Sequence, residues 1–216
     1  MTKHEGSKDS VKGDNKRMVF GPMATEKHVK LAVMFADITG SGRLLERFGE
    51  EKGQALIGAC VGAMESITKR CSGTVVKTIG DEIMAVFDSA DAAFDAAVGI
   101  QRGHDDGPVA VHIGFNYGTV LQKDDDYFGD VVNVAKRVVD RATGDEIMTT
   151  GSAMKELSSE RASKTRHVDN STMKNRAKAV KIYEITWRAD EEHDLTIIGT
   201  LPPSSPDGLQ SAVLKL

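Results

Sequence analysis

A chain of 216 residues is long enough for one domain of moderate size with tails, and 40% hydrophobic with 28% charged residues is the balance of a soluble globular protein. A net charge of -4 gives no electrostatic case for binding a nucleic-acid polymer. The two cysteines, Cys60 and Cys71, have no metal or disulfide spacing, and no apolar run approaches the ~20 residues of a membrane span. The first residues lack the apolar core of a signal peptide, so a cytoplasmic chain with no membrane contact by this segment is expected.

Residues 1–29 are polar, lack periodic apolar positions and are expected to form a flexible N-terminal tail. The apolar run at 30–36 predicts a buried strand ending at Asp37, and Thr39-Gly-Ser-Gly42 turns it into a helical region reaching about Arg70. Leu56, Cys60, Met64 and Ile67 recur at steps of four, four and three, one buried face, with Gly49 and Gly53 expected to interrupt the start. Cys71-Ser-Gly73 should end the helix. Strands at 74–79 and 83–87 then flank Gly80-Asp-Glu82, a tight hairpin with Asp81 at its tip. Ser89 is placed to cap a helix over 90–101.

Alternation predicts a half-buried strand over 109–115, with 118–122 as its hairpin partner. Residues 130–142 read as a helix whose buried stripe is Val131, Val134, Ala135, Val138 and Ala142. Short strands follow at 146–150 and 181–186. The order β-α-β-β-α-β-β-α-β predicts an α+β fold. Its sheet would be mixed and mostly antiparallel, of ferredoxin-like βαββαβ type, with helices mainly on one face and the other face open to a ligand or partner. Beyond Trp187 the chain turns acidic and Pro-rich, reading as a linker over 188–216 that ends in a strand-like run, 212–216.

Asp37 and Asp81 each follow an apolar strand and lie beside glycine, where backbone can approach closely. One such aspartate is as readily a solvated turn residue. Two converging carboxylates could hold one or two Mg²⁺ ions gripping a triphosphate, while the turn after Asp37 offers backbone N–H groups to the same phosphates. Asn133 and Arg137, four apart, project from one side of a helix. They suit a phosphoryl group gaining charge, or simply a solvated face like that of Arg141. Lys77 lies in an apolar strand, on the side of Val75 and Ile79 by alternation, and needs a partner. Asp126 ends an acidic run, Asp124-Asp-Asp126. A lysine donating to a ring nitrogen and an aspartate accepting from an exocyclic amine would read adenine, whereas guanine would mispair.

Four stretches in this order resemble the class III nucleotide cyclase catalytic domain: Phe35-Ala-Asp-Ile38, Val76-Lys-Thr-Ile-Gly-Asp-Glu-Ile-Met-Ala-Val-Phe87, Phe128-Gly-Asp-Val-Val-Asn-Val-Ala-Lys-Arg137 and Val180-Lys-Ile-Tyr-Glu-Ile185. The likeness covers roughly residues 30–187, taken as the catalytic domain. It implies an adenylate cyclase that binds ATP, carries two divalent ions (Mg²⁺ or Mn²⁺) and works as a head-to-tail homodimer. By the same resemblance, Asp37, Ile38 and Asp81 hold metal, and Ile38, Thr39, Gly40, Ser41, Lys77 and Asp126 bind substrate. Asn133, Arg137 and Lys174 act in catalysis. Relatives also attach further domains, and the strand-like end is expected to open one of forkhead-associated type.

Three positions depart from the family pattern: Gly42 for a hydroxyl residue, Lys136 for alanine, and Met173-Lys-Asn-Arg176 for a Lys-Gly-Lys-like run. Two other activities share parts of the pattern. A diguanylate cyclase has a similar hairpin, here Ile79-Gly-Asp-Glu-Ile83, and a guanylate cyclase shares the chemistry. A catalytically silent dimerisation or nucleotide-sensing module is the non-enzymatic alternative.

Overall fold

The structure, a computed structural model, describes residues 26–105, 107–171 and 179–188. Strand β1 (Lys27–Ile38) leads through α1 (Ser41–Phe48) and α2 (Glu50–Arg70) to the β2 (Thr74–Ile79) and β3 (Glu82–Phe87) hairpin. Helix α3 (Ala90–His104), β4 (Val111–Lys123), β5 (Asp126–Phe128) and α4 (Asp130–Val139) follow, then β6 (Ile147–Thr150), α5 (Gly151–Met154), α6 (Ser159–Ala162), β7 (Thr165–Ser171) and β8 (Val180–Ile185). The sheet runs β2-β3-β1-β4-β6-β8-β7, with β5 on β4. Among the described strands only the β4–β6 pair is parallel. Its first four strands have the expected ferredoxin-like order.

Alternation along β1 makes two cores. Ala32, Met34, Ala36 and Ile38 pack with Cys60, Met64, Phe94 and Ile100 of α2 and α3, and with Ala153 of α5. Leu31, Val33 and Phe35 pack on the other face with Ala135 and Val139 of α4. Most helices thus share one face, but α4 covers part of the face expected to be open.

Residues 109–122 were expected to turn back on themselves. They form instead one 13-residue strand that pairs with β1 from Lys27↔Gln122 to Ile38↔Val111. Its glycines serve packing: a Cβ on Gly114 would lie 2.3 Å from the Val139 amide nitrogen, and one on Gly118 2.8 Å from Val131 Cγ2. Helix α4 lies directly on them. The true partner is β5, reached through Asp124 and Asp125, both at positive φ.

Smaller differences have similar causes. Gly53 does not break α2; it is buried, and a Cβ there would meet Leu45 Cδ2 at 2.7 Å, so it lets α1 close on α2. The left-handed residue closing α2 is Ser72, while Gly73 makes room for the Phe87 ring. Ser89 caps α3 as expected, accepting from the Ala92 N–H at 3.1 Å. The tail expected over 1–29 ends earlier, since β1 already begins at Lys27; residues up to 25 and the run beyond Arg188 lie outside the described residues. Among those described, no helix is long and apolar enough to cross a membrane.

Candidate active site

The β1–β3 ladder ends at Ala36↔Ile83, so Asp37, the next residue of β1, and Glu82, the first residue of β3, lie just past the same end of it. Asp37 and the Gly80-Asp81 turn therefore lie at the same end of the β1–β3 pair. Gly80 takes the positive φ that a two-residue hairpin turn requires. Asp37 continues the row Leu31, Val33, Phe35 and so faces the α4 side. The Ile38 side chain belongs to the opposite core, which leaves only its backbone carbonyl for a ligand.

The Asp37 and Asp81 carboxylates and the Ile38 carbonyl would make an oxygen-only set, the kind that suits Mg²⁺ or Mn²⁺. Among the described residues no group of three or more His, Cys, Asp or Glu side chains is gathered for a metal. Further ligands would come from water and substrate, as is usual for Mg²⁺.

His112, across the ladder from Asp37, places Nε2 3.4 Å from Asp37 Oδ2 and Nδ1 3.0 Å from Thr39 Oγ1. The Thr39 N–H already donates to the Ala110 carbonyl at 2.8 Å, so that amide is engaged within the fold. Gly40 takes a left-handed conformation, and no side chain caps α1. The amides of Ser41 and Gly42 at that uncapped end are the ones suited to an anion.

Lys77 Nζ donates to Asp126 Oδ2 at 2.6 Å, joining two residues that the sequence separates by 49 positions. A bulge makes this possible. The register slips between Val75, opposite Ala85, and Lys77, opposite Met84. Val75 and Lys77 therefore face opposite sides, not the same side as alternation suggests, and Lys77 is re-aimed to the α4 side. Burial pushes the Asp126 carboxyl up, but hydrogen bonds from Lys77 and the Tyr127 N–H outweigh it and leave it below the usual range.

Asn133 is exposed and Arg137 half-buried on α4, whose buried stripe is Val134, Ala135, Val138 and Val139. Between them Lys136 turns inward. Its Nζ reaches Glu82 Oε2 at 2.6 Å and Asp140 Oδ1 at 2.9 Å, and lies 5.8 Å from the Phe35 ring centre. Glu82 is 6% exposed. Burial raises its carboxyl, Lys136 opposes that, and the charges of Asp37 and Asp140 add to the rise. Burial would lower the Lys136 ammonium, but its two carboxylate partners hold it above its ordinary value.

Lys77 and Asp126 are thus in direct contact, Asn133 and Arg137 lie one turn apart on α4, and Asp37 and Asp81 lie at the same end of the β1–β3 pair. Lys174 lies outside the described residues. Reading the sequence passed over His112 and Glu82 as neighbours of the site. The missing signal was strand register, which pairs His112 with Asp37 and brings Glu82 to the same end of the β1–β3 ladder.

Residues 23–186 match the sequence model for the adenylate and guanylate cyclase catalytic domain. The chain belongs to that family. It is 32% identical over 130 residues to an adenylate cyclase of Streptomyces coelicolor, covering 59% of this chain and 34% of that protein. It is also 27% identical over 183 residues to an adenylate cyclase of Anabaena cylindrica, covering 72% and 36%. The chain thus spans about a third of the length of these relatives. A Catenaria anguillulae guanylate cyclase domain solved with GTP superposes with a TM-score of 0.66 at 22% identity, covering 76% of this chain and all of that one. The catalytic core of a rhodopsin-guanylyl cyclase with converted specificity, solved with ATPαS, gives 0.67 at 23%, covering 75% and 98%.

Proposed function

We propose that this domain is an adenylate cyclase, converting ATP to 3′,5′-cyclic AMP and pyrophosphate at sites shared by two copies arranged head to tail. The observation that carries the reading is the Lys77–Asp126 contact. A cation and an anion held 2.6 Å apart present one donor and one acceptor to a base, the complement of the ring nitrogen and exocyclic amine of adenine. Relatives of this fold have been solved with GTP and with an ATP analogue, so the base-reading pair, rather than the fold, decides the substrate.

In this reading Lys77 and Asp126 of one copy orient adenine, and Asn133 of the same copy hydrogen-bonds the ribose. Arg137 stands against the α-phosphate, where a fixed guanidinium offsets the negative charge that grows in the transition state. Asp37, the Ile38 carbonyl and Asp81 of the other copy would hold Mg²⁺ or Mn²⁺, which would supply charge neutralisation and ease loss of the ribose hydroxyl proton. The amides of Ser41 and Gly42 bind the terminal phosphates, and Lys174 adds a further contact. The 3′-oxygen forms a bond to the α-phosphorus as the bond from that phosphorus to the oxygen bridging to the β-phosphorus breaks. Pyrophosphate leaves, and the hydroxyl proton passes to solvent. Positioning and charge carry this step, with no protein nucleophile. An ATP substrate is in keeping with a cytoplasmic location.

The test supplies ATP or GTP with Mn²⁺ or Mg²⁺ to the purified protein and identifies products by chromatography. Cyclic AMP with equimolar pyrophosphate, formed from ATP in preference to GTP, is the expected result. Cyclic GMP or cyclic di-GMP as the main product overturns the substrate assignment. Nucleotide binding with no pyrophosphate released overturns the catalytic one.

A further inference from the structure

Resting on the cyclase reading, we infer that Glu82 and Lys136 form a positioning pair that fixes the catalytic helix to the metal-bearing hairpin of the same chain. Glu82 directly follows Asp81, and Lys136 directly precedes Arg137. The contact between them, 2.6 Å, therefore joins the two backbone segments that carry these groups. Sequence separates them by 54 residues, so neither segment places the other through local structure.

The pair is built into the fold. The Glu82 side chain is 8% exposed, and burying a polar group is costly unless it is hydrogen-bonded, as this one is to Lys136. Lys136 is oriented on three sides, by Glu82, by Asp140 one turn along α4 and by the Phe35 ring. Successive helix residues diverge by about 100°, so the inward turn of Lys136 sets Arg137 and Asn133 along the adjoining face. Glu82 and Asp37 lie just past the same end of the β1–β3 ladder, whose last rung is Ala36↔Ile83.

If each site draws Asp81 from one copy and Arg137 from the other, this link ties together groups that serve different sites. A shift of α4 against the hairpin then misplaces the arginine of one site relative to the metals of the other. Catalytic rate is sensitive to displacements on the order of 1 Å, which can cost about a hundredfold. Binding of adenine runs through Lys77 and Asp126, on β2 and β5, and does not depend on the pair.

The experiment compares Glu82→Gln, Lys136→Met, the double variant and Lys136→Arg. It measures kcat, KM for ATP, binding of a non-hydrolysable ATP analogue and the melting temperature. Glu82→Gln keeps the shape and leaves no buried charge, so it remains informative if Lys136→Met fails to fold. Expected are a fall in kcat of about tenfold or more for each single variant, KM and analogue binding within about twofold, and a double variant no worse than the weaker single. Lys136→Arg should keep most of the rate. Wild-type kcat in a folded Glu82→Gln protein, multiplicative losses in the double variant, or a fall in kcat that only tracks lost analogue binding or lost folded protein each overturn the inference. Cyclic nucleotide production by the wild-type protein is the control: its absence refutes the cyclase reading itself, whereas an active wild type with equally active variants refutes only the pair.

Discussion

Lys77 on β2 and Asp126 at the start of β5 form an ion pair that depends on an irregularity in the ladder: the bulge at Val76 turns Lys77 toward the α4 face. Both side chains are partly exposed, so the pair contributes little to stability. In the proposed function its value lies in recognition. Replacing either residue by alanine should lower kcat/KM for ATP by about 10- to 100-fold, the loss of one charge-assisted hydrogen bond to the base, with the melting temperature nearly unchanged. A double-mutant cycle checks this: the two losses should overlap, because each removes the partner that orients the other.

Asp37 and Arg137 provide the test of a shared site. Asp37→Ala and Arg137→Ala should each be inactive alone. On mixing, the mixed dimer has one site with both lesions and one with neither. Random exchange of subunits makes half the dimers mixed, so about a quarter of wild-type activity should return. Activity that stays absent when mixed dimers are demonstrated by mass spectrometry would rule out a site built from two copies.

The sequence made the strand-end aspartates and the amphipathic faces legible because both rest on local pattern. Leu56, Cys60, Met64 and Ile67 show their period directly, and all four join one core. What it hid depends on what other elements do. Gly118 reads as the start of a hairpin partner, and Gly114 as an ordinary strand position, until α4 is known to pass over both. The side of Lys77 follows from a bulge that alternation does not encode. Strand β7 carries only Val168 as an apolar residue, 46% exposed, because it is an edge strand paired with β8 alone, and its pattern gives no strand signal. Lys136 stood out as a departure from the family pattern, yet its partner Glu82 needed the fold to be seen.

Gly114 gives a prediction that joins packing to position. An alanine there would set its Cβ 2.3 Å from the Val139 amide nitrogen, a backbone atom that cannot rotate away. Helix α4 would have to lift from β4. Gly114→Ala should therefore destabilise the domain by about 1–3 kcal/mol, read as a lower urea midpoint at unchanged slope. Because α4 carries Asn133 and Arg137, the folded fraction should also lose rate. Gly58→Ala is the control, since a Cβ there meets nothing within 4 Å and alanine favours a helix.

Cys60 sets the behaviour in alkali. Burial, with a smaller effect from the Asp81 charge, pushes its thiol from an ordinary 9.0 to about 12. The folded value lies above the unfolded one, so the protonated thiol favours the fold. That stabilisation is complete below pH 9 and is lost as pH rises from there toward 12. Within this window the loss approaches ~1.4 kcal/mol per pH unit. Urea unfolding of wild type should weaken steadily between pH 9 and 11. Cys60→Ala, weaker at pH 8 because it leaves a small cavity, should show a shallower fall over the same range. Cys71 is less enclosed, and its thiol is also raised, by burial first and then by the Asp95 charge. Alkylation followed by mass spectrometry should therefore modify Cys71 first and Cys60 only once the chain unfolds, because the reactive species is the thiolate and the core withholds it. Equal labelling of the two in the folded protein would mean that α2 does not keep Cys60 against the sheet.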